Sequence, residues 1–442
     1  MKNYSKVLLA LIGILFMVPA TTVLPMWAST ILFVAILAAV VNARVNDVAM
    51  NGGVTITLAN GQLGGALQTD DGIFGMVMTG IPDSGGYALG TPILVTGMAD
   101  IATAGITIGS NAFAMKQLQE FYNEAGEGAK LYVMLVADTM SVADMADNTN
   151  ANGAKLLLDY AAGKIKMLGI ISDDTLVTTG TVSSGMNDDV ITAAGNMEVM
   201  ATAYFNAENP FRCIIGGTSY QGVAATLPNQ LTGANNRTAI LVGDTDLTYS
   251  SVGAALGLVL GRLATLPVQA KVSKVKIGAM TNQHAFLGGV AVELTGGDMA
   301  VIYGSGYITW KTYPHLAGYY MSGDDTCSKA VDDYHFIARG RVIDKAHVLA
   351  YTTFVQEVDD EVLMDSAGNI NAGFAKWLEQ QIVNQINLTM TNKKEISNVS
   401  CFIDPAQNIL STNDLAVVLK VTPVGYASNI SIDLGFSNPA LG

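Results

Sequence analysis

Residues 112–137 read AFAMKQLQEFYNEAGEGAKLYVMLVA, and two different periodicities meet in this stretch. Ala112–Ala125 carries apolar residues at helical spacing, whereas Leu131–Ala137 is a short apolar run that follows glycine-rich turn residues. The same succession recurs from residue 73 to about residue 300, and alternating strands and helices predict a mainly parallel sheet in an α/β body. Further strands are predicted at 73–78, 165–171, 212–215 and 239–242, and further helices at 151–162, 188–205 and 251–266.

The predicted helix at 251–266 is rich in small residues and is stopped by Pro267. Small side chains allow two helices to approach closely, so this helix is expected to pack tightly against a neighbour. The residues concerned are Gly253, Ala254, Gly257 and Gly261.

The pattern changes after about residue 304, where tyrosines and Trp310 cluster. Phe374, Trp377 and Leu378 begin a helical apolar face that continues to Ile386. Alternating residues at 415–421 and 430–436 then predict two C-terminal strands, joined by a turn at Pro423 and Gly425. Residues 304–442 are therefore expected to form an α+β domain that ends in a strand arm.

Composition restricts the class of protein. Only 14% of the 442 residues are charged and 50% are hydrophobic, which is too little charge to cover the surface of a lone monomer. After the first 45 residues no apolar run reaches the roughly 18 to 20 residues of a spanning helix, so burial against copies of the same chain is favoured. The formal net charge of −14, with no lysine- or arginine-rich run, argues against a nucleic-acid partner.

The first 49 residues differ from the rest, because apolar runs at 7–24 and 27–41 follow Lys2 and Lys6. Three interpretations remain open: a signal peptide, a membrane hairpin, or an upstream extension before a natural start at Met50. The Gly-, Thr- and Asn-rich sequence that follows contains a short alternating strand at 54–58. The predicted organisation is a leader at 1–49, an extended arm at 50–72, the α/β body at 73–303 and the C-terminal domain at 304–442.

No common signature of an enzyme occurs in the sequence, since phosphate-loop, dinucleotide, nucleophile-elbow and zinc-protease motifs are missing. Cys213, Cys327 and Cys401 are widely spaced and are expected to be buried thiols rather than a disulfide framework or a zinc site. His284 and His315 are expected to be packing residues. The sequence predicts no catalytic, cofactor-binding or metal-binding residue.

One charged segment is the nearest approach to a site. Carboxylates beside a histidine could bind a metal or carry acid–base chemistry, but interleaved opposite charges favour a salt-bridged surface. The segment contains Asp324, Asp325, Asp332, Asp333, His335, Arg339, Arg341, Asp344, Lys345 and His347.

Within that segment, residues 332–346 read DDYHFIARGRVIDKA and resemble the "DDY…I…R…R…ID" segment of contractile tail sheath proteins. Residues 421–424, VTPV, are similar to the closing strands of that family, and the resemblance extends over roughly residues 50–442. It implies a subunit that self-associates into rings or a helical sheath around an inner tail tube protein and rearranges on contraction. Strand arms would join neighbours, baseplate or terminator proteins would be further partners, and no cofactor or nucleic acid would be bound.

The implied location is a virion tail sheath that is assembled in the bacterial cytoplasm, where the hydrophobic leader has no obvious use. Two rival functions therefore stay open. A membrane-anchored or secreted cell-surface binding protein would use the leader, and an α/β-hydrolase-like or metal-dependent enzyme would use the aspartate and histidine cluster.

Overall fold

A computed structural model describes residues 70–82, 86–173, 181–246 and 253–436 of the chain. The predictions for the leader at 1–49 and for the strand at 54–58 concern residues outside these ranges. Inside them, no helix combines the length and the apolar character needed to cross a bilayer.

Fourteen strands and ten helices with α-helical geometry are found in the described residues. The strands are β1 (Phe74–Gly80), β2 (Ile93–Val95), β3 (Leu131–Ala137), β4 (Met167–Ile171), β5 (Arg212–Gly216), β6 (Ala234–Asn235), β7 (Thr238–Leu241), β8 (Phe286–Leu287), β9 (Val290–Ala291), β10 (Trp310–Tyr313), β11 (Leu316–Met321), β12 (Cys327–Ser328), β13 (Ile396–Phe402) and β14 (Val418–Pro423). The helices are α1 (Met98–Thr103), α2 (Ala112–Ala125), α3 (Val142–Met145), α4 (Ala154–Ala161), α5 (Asp188–Asn206), α6 (Leu256–Thr265), α7 (Asp298–Gly304), α8 (Ile337–Phe354), α9 (Ala372–Ile386) and α10 (Ile409–Thr412).

The body contains a six-stranded sheet in the order β2-β3-β1-β4-β5-β7. Strands β3, β1, β4, β5 and β7 are parallel, and β2 is antiparallel at the edge. Every residue of β1, β4, β5 and β7 is buried, which requires cover on both faces of the sheet. The predicted α/β architecture with a mainly parallel sheet is confirmed.

Helices α2 and α6 pack closely against each other beside the sheet. A Cβ atom added at Gly257 would lie 1.9 Å from the carbonyl oxygen of Gln117, and one at Gly261 would lie 2.4 Å from that of Phe121. Side chains at these positions would force the helices apart, so the prediction of close packing through small residues is confirmed. The helix begins at Leu256 rather than at 251, because Ala254 still forms a bridge to Gly243.

The C-terminal part is built on α8 and α9, which contact each other and carry the β13–β14 sheet. The predicted pair of C-terminal strands is wrong in two respects. Strand β14 pairs with β13, and residues 424–436 have no regular secondary structure in the single chain. Apolar and polar residues alternate at 430–436, but a strand is stable only when it pairs with a sheet. No strand among the described residues pairs with this segment.

Candidate assembly surface and charged joint

The small β13–β14 sheet has one face directed at the helices. Val399 lies opposite Val421, and Cys401 lies opposite Leu419. Ile396 and Val399 are buried, and Leu419 and Val421 pack against the same hydrophobic cluster, which includes residues of α8 and α9. This packing fixes the sheet to the C-terminal part.

The two edges of this sheet are open in the part of the chain that the structure describes, because no third strand pairs with it. An open edge presents unpaired backbone N–H and C=O groups and is a template for a strand from another chain. The β13–β14 sheet is therefore a candidate acceptor for an added strand.

The chain leaves β14 and is held once more at Tyr426. The Tyr426 hydroxyl donates a hydrogen bond of 2.8 Å to the carbonyl oxygen of Gln269. The ring lies 6.2 Å from the ring of Phe336, with the Lys271 ammonium 4.9 Å from the Tyr426 ring centre. Burial raises the pKa of Tyr426 to about 12, so the hydroxyl stays a hydrogen-bond donor at neutral pH. Tyr426 is thus an anchor for the segment that follows.

Beyond this anchor, every second residue is apolar and lies in solvent. Ile430 and Ile432 are 76% and 79% exposed, and Leu434 and Phe436 are fully exposed. We call residues 427–436 the tail. Among the described residues, the chain therefore has both an open sheet edge and a strand-like apolar segment that no other strand covers.

The charged segment at 324–347 is a buried joint and not the salt-bridged surface that the sequence predicts. Asp344 lies 2.9 Å from Nε of Arg212 and 3.1 Å from Nη2 of Arg237, and all three side chains are at most 9% exposed. Both arginines come from the sheet region and not from the segment itself. The joint therefore connects α8 to the parallel sheet.

Asp324 begins the joint at the amino end of α8. Its Oδ1 lies 3.2 Å from the Lys271 ammonium, and its Oδ2 accepts a 3.0 Å hydrogen bond from the backbone N–H of Ala338. A carboxylate at this position is favoured by the helix dipole, although burial raises its pKa. Asp324 therefore acts as a cap that is supplied from outside the helix.

The remaining residues of the segment are also accounted for. Lys345 lies 2.7 Å from both Asp71 and Glu395, and His347 lies 2.5 Å from Glu208. Asp332 accepts a hydrogen bond from Asn236, the Arg339 guanidinium lies 5.2 Å from the Phe336 ring, and Asp333 is exposed.

A serine, a histidine and an aspartate are aligned beside this joint. His335 Nε2 lies 2.7 Å from Asp325 Oδ1, and its Nδ1 lies 3.4 Å from Ser328 Oγ. The order resembles an acid–base relay, but Ser328 is 0% exposed and its hydroxyl also contacts that of Thr326. A substrate has no route to that oxygen, so the arrangement positions β12 rather than a reacting group.

Other candidate residues lie apart from one another. His284 and His315 lie in exposed loop positions, so the prediction that they are packing residues is wrong. Cys213 and Cys327 are buried and Cys401 is half-buried, and all three are free thiols. Within the described ranges, no three histidine, cysteine or acidic side chains are arranged to hold a metal ion.

Gly340 is a residue whose role sequence reasoning missed. A Cβ atom there would lie 1.8–2.1 Å from the guanidinium of Arg212, which passes over the helix to reach Asp344. The signal was present in the quoted motif, where this glycine separates Arg339 from Arg341.

Two family models match the chain: the DUF2586 N-terminal domain over residues 51–325 and the DUF2586 C-terminal domain over residues 333–441. No curated protein matches the sequence.

Solved structures show the same fold. A chain of the anti-feeding prophage helical sheath in the contracted state matches with a TM-score of 0.57 and 13% identity, covering 88% of this chain and 99% of that chain. A chain of the anti-feeding prophage baseplate matches with 0.58 and 13%, at 88% and 99% coverage. A chain of the PVC sheath complex of an extracellular contractile injection system, also contracted, matches with 0.50 and 10%, at 87% and 97% coverage. The fold that the sheath resemblance implies is thereby confirmed.

Proposed function

The chain belongs to the DUF2586 family, and we propose that it is a structural subunit of a contractile tail sheath. In this role it polymerises around an inner tube by exchanging strands with its neighbours and changes its packing on contraction. The sheath fold supports the proposal, because proteins of that fold in the anti-feeding prophage and in the PVC particle form contracted sheaths.

The observation that carries the proposal is the pairing of an apolar tail with an open sheet on one chain. Donor and acceptor are different surfaces, so each copy can give its tail to one neighbour and accept a tail from another. Contacts of this head-to-tail kind build rings or helical arrays rather than closed dimers. A sheath is an array of this kind.

The energetic argument favours assembly over an isolated subunit. An added strand forms backbone hydrogen bonds that contribute about 0.5 to 1.5 kcal/mol each. Burial of a side chain such as Ile430 or Phe436 adds roughly 1.5 to 3 kcal/mol. Several such terms for each copy, repeated along a lattice, hold the bodies together while the tails allow them to shift.

The proposal extends to parts of the chain that are less directly supported. The arm at 50–72 would act as a second exchanged strand, and the inner tube, baseplate and terminator proteins would be partners in a tail assembled in the bacterial cytoplasm. Catalysis is not proposed, because the charged segment is engaged in buried ion pairs that hold the fold. Nucleic acid is not proposed as a partner, given the acidic composition.

Removing residues 428–442 tests the proposal. We expect a folded chain that melts cooperatively but forms no rings or tubes by negative-stain electron microscopy and sedimentation. If the shortened chain still polymerises like the parent, or if it no longer folds, strand exchange through the tail is wrong.

A pair of full-length variants makes the test sharper. Replacing Ile430, Ile432, Leu434 and Phe436 with serine should abolish assembly, because the apolar face of the added strand is lost. The control replaces Ser431 with Ala and Asp433 with Asn, on the opposite face of the same segment, and should assemble normally.

A further inference from the structure

One lysine and two acidic side chains meet inside the body, where α2 passes the carboxyl end of β7. Lys116 Nζ lies 2.5 Å from Asp244 Oδ1 and 3.3 Å from Glu120 Oε1. The side chains of Lys116, Asp244 and Glu120 are only 5%, 2% and 14% exposed. We call these three residues the buried triad.

Backbone hydrogen bonds hold Asp244 in place. Its own backbone exchanges two hydrogen bonds with that of Phe286, at 3.0 and 2.7 Å. Its Oδ1 accepts a hydrogen bond of 2.8 Å from the backbone N–H of Thr245, in addition to the contact with Lys116. Lys116 and Glu120 lie one turn apart on α2, and the Thr245 hydroxyl donates a hydrogen bond to Glu120. The helix and the end of β7 therefore press the three side chains together.

The buried triad contains one cation and two carboxyl groups, so its charges do not balance like those of an ordinary ion pair. Asp246, half-buried two residues after Asp244, adds further negative charge. The residues that follow it, 247–252, include no lysine or arginine. Glu120 Oε2 and Asp244 Oδ2 are buried and have no hydrogen-bond partner among the described residues.

This imbalance determines where the protons lie. Burial raises the pKa of Glu120 and of Asp244, although Lys116 opposes the shift. Two negative charges beside a single buried ammonium are costly, so one of the two carboxyl groups keeps its proton. Burial disfavours the ammonium form of Lys116, but the two acidic neighbours favour it, and on balance its pKa is raised. The resting state is therefore an ion pair beside a neutral carboxylic acid.

One proton transfer converts this resting state into a reactive one. When the Lys116 ammonium gives a proton to Asp244, across the 2.5 Å contact, a neutral amine lies against two carboxylic acids. The triad neither gains nor loses a proton in this step. A neutral lysine amine is a nucleophile, and the carboxyl carbon of a protonated aspartate can accept its attack.

A second buried pair on the same two helices shows the difference. One turn further along α2, Glu124 binds Arg262 of α6, with Nε 2.6 Å from Oε2. Here one carboxylate faces one guanidinium, and both carboxylate oxygens accept hydrogen bonds from it. A guanidinium keeps its proton in proteins, so this pair can only be structural.

We propose that Lys116 and Asp244 join in an amide bond inside the folded chain, with Glu120 as the proton carrier. The lysine Nζ attacks Cγ of Asp244, an N–C bond forms and the Cγ–Oδ2 bond breaks. Glu120 takes a proton from the nitrogen and gives its own to the departing oxygen, so water leaves and Glu120 ends as it began. The reaction needs no oxidant or cofactor, and it does not depend on the proposed function.

The surroundings favour this reaction over the same groups in water. Cγ is bonded to Oδ1, so a small rotation of the lysine side chain brings the reacting atoms together, and well-oriented groups react at effective concentrations of about 10⁵ to 10⁸ M. The Thr245 N–H stabilises the negative charge that develops on Oδ1. In water an amine and an acid remain as ions, whereas burial makes ions costly and an amide carries no charge.

Mass spectrometry of the folded full chain tests the proposal. The intact mass should be lower than the sequence mass by one water molecule, and a digest should contain a branched peptide that joins Lys116 to Asp244. Lys116→Met should have the mass of its sequence, because the nucleophile is gone. Glu120→Gln keeps both reacting groups and should form the bond at least about a hundredfold more slowly.

Lys155→Met is the matched control. Lys155 lies 2.9 Å from Asp159, but these side chains are 36% and 53% exposed, so water solvates both ions and no bond is expected there. The control should lose one water molecule as the parent does. Circular dichroism establishes that each variant is folded, and the branched peptide of the parent decides the matter where a variant is not.

Three results would overturn the proposal. The first is a folded parent chain whose mass still equals that of its sequence after prolonged incubation. The second is a loss of water that persists in Lys116→Met, since it would come from a cyclised aspartate and not from the buried triad. The third is a Glu120→Gln chain that forms the bond as fast as the parent, which would remove Glu120 from the reaction.

Discussion

Asp344 shows how single residues of the motif at 332–346 act. Its carboxylate is shared by Arg212 and Arg237, and Gly340, one turn earlier on α8, leaves the space through which Arg212 passes. Arg341, on the same helix, is buried and donates hydrogen bonds to the carbonyl oxygens of Leu263, Leu266 and Asp71. Charged residues of the motif that resembles the sheath family therefore fasten α8 to the parallel sheet.

The first prediction at this scale is that Asp344→Asn destabilises the chain strongly. Two buried guanidinium groups would lose the carboxylate with which they form ion pairs, and breaking a buried ion pair from one side costs about 3 to 5 kcal/mol. The free energy of unfolding from denaturant titration measures the loss.

Asp159→Asn is the matched control, because Asp159 pairs with Lys155 at the surface, where both side chains are more than a third exposed. A surface pair contributes at most about 1 kcal/mol. Equal effects of the two substitutions would mean that the buried ion pairs of Asp344 contribute no more to the free energy of unfolding than a surface pair does.

At the scale of elements, the α2–α6 contact depends on a position where no side chain fits. Gly257→Ala is expected to lower the free energy of unfolding by about 1 to 3 kcal/mol, because the new methyl group would overlap the backbone of α2 and push the helices apart. Thermal and denaturant unfolding measure the change.

Gly195→Ala in α5 is the control for helix propensity. A Cβ atom at Gly195 would meet nothing within 4 Å, so alanine there should be neutral or stabilising by up to about 1 kcal/mol. If Gly257→Ala behaved in the same way, the close approach of the two helices would be contradicted.

The elements also show what sequence patterns can and cannot predict. The bounds of α2 and β3 agree with the sequence, because their apolar periodicity reflects burial in their own chain. For α8 the sequence indicates only a charged stretch, because the buried Arg341 and Asp344 interrupt the apolar pattern that is typical of a core helix.

Strand β13 was missed because ISNVSCF mixes polar and apolar residues and its partner, β14, lies sixteen residues beyond its end. The strand predicted at 430–436 is not formed, because its pattern indicates an apolar face that no other described residue covers. The ion pairs of Asp344 could not be predicted, because Arg212 and Arg237 lie more than a hundred residues before it in the sequence and meet it only in the fold.

For the whole molecule, the low charge content now has a structural interpretation. The single chain exposes several large apolar side chains, most of all in the tail, and sparse surface charge suits a protein that the proposal places against copies of itself. The sequence supported this inference from composition alone, without identifying which surface would be covered.

The prediction at this scale concerns the leader. A chain that begins at Met50 is expected to be soluble and to fold and assemble like the full chain, because the DUF2586 match starts at residue 51. Circular dichroism and electron microscopy compare the two. If the shorter chain is unfolded or insoluble while the full chain folds in detergent, residues 1–49 are an integral part of the protein.

The hydrogen bond of Tyr426 limits how far the tail can extend from its own subunit. Ile430, the first large apolar residue of the tail, lies four residues after Tyr426, and a fully extended chain covers at most about 3.3 to 3.6 Å per residue. If the tail adds to a neighbour's sheet as proposed while the Tyr426 hydroxyl stays bonded to Gln269, the accepting sheet edge must lie within roughly 14 Å of Tyr426. Under the proposed strand exchange, two subunits joined by so short a link could rotate about it but could not separate, so contraction would change the angles between subunits much more than their spacing at this point.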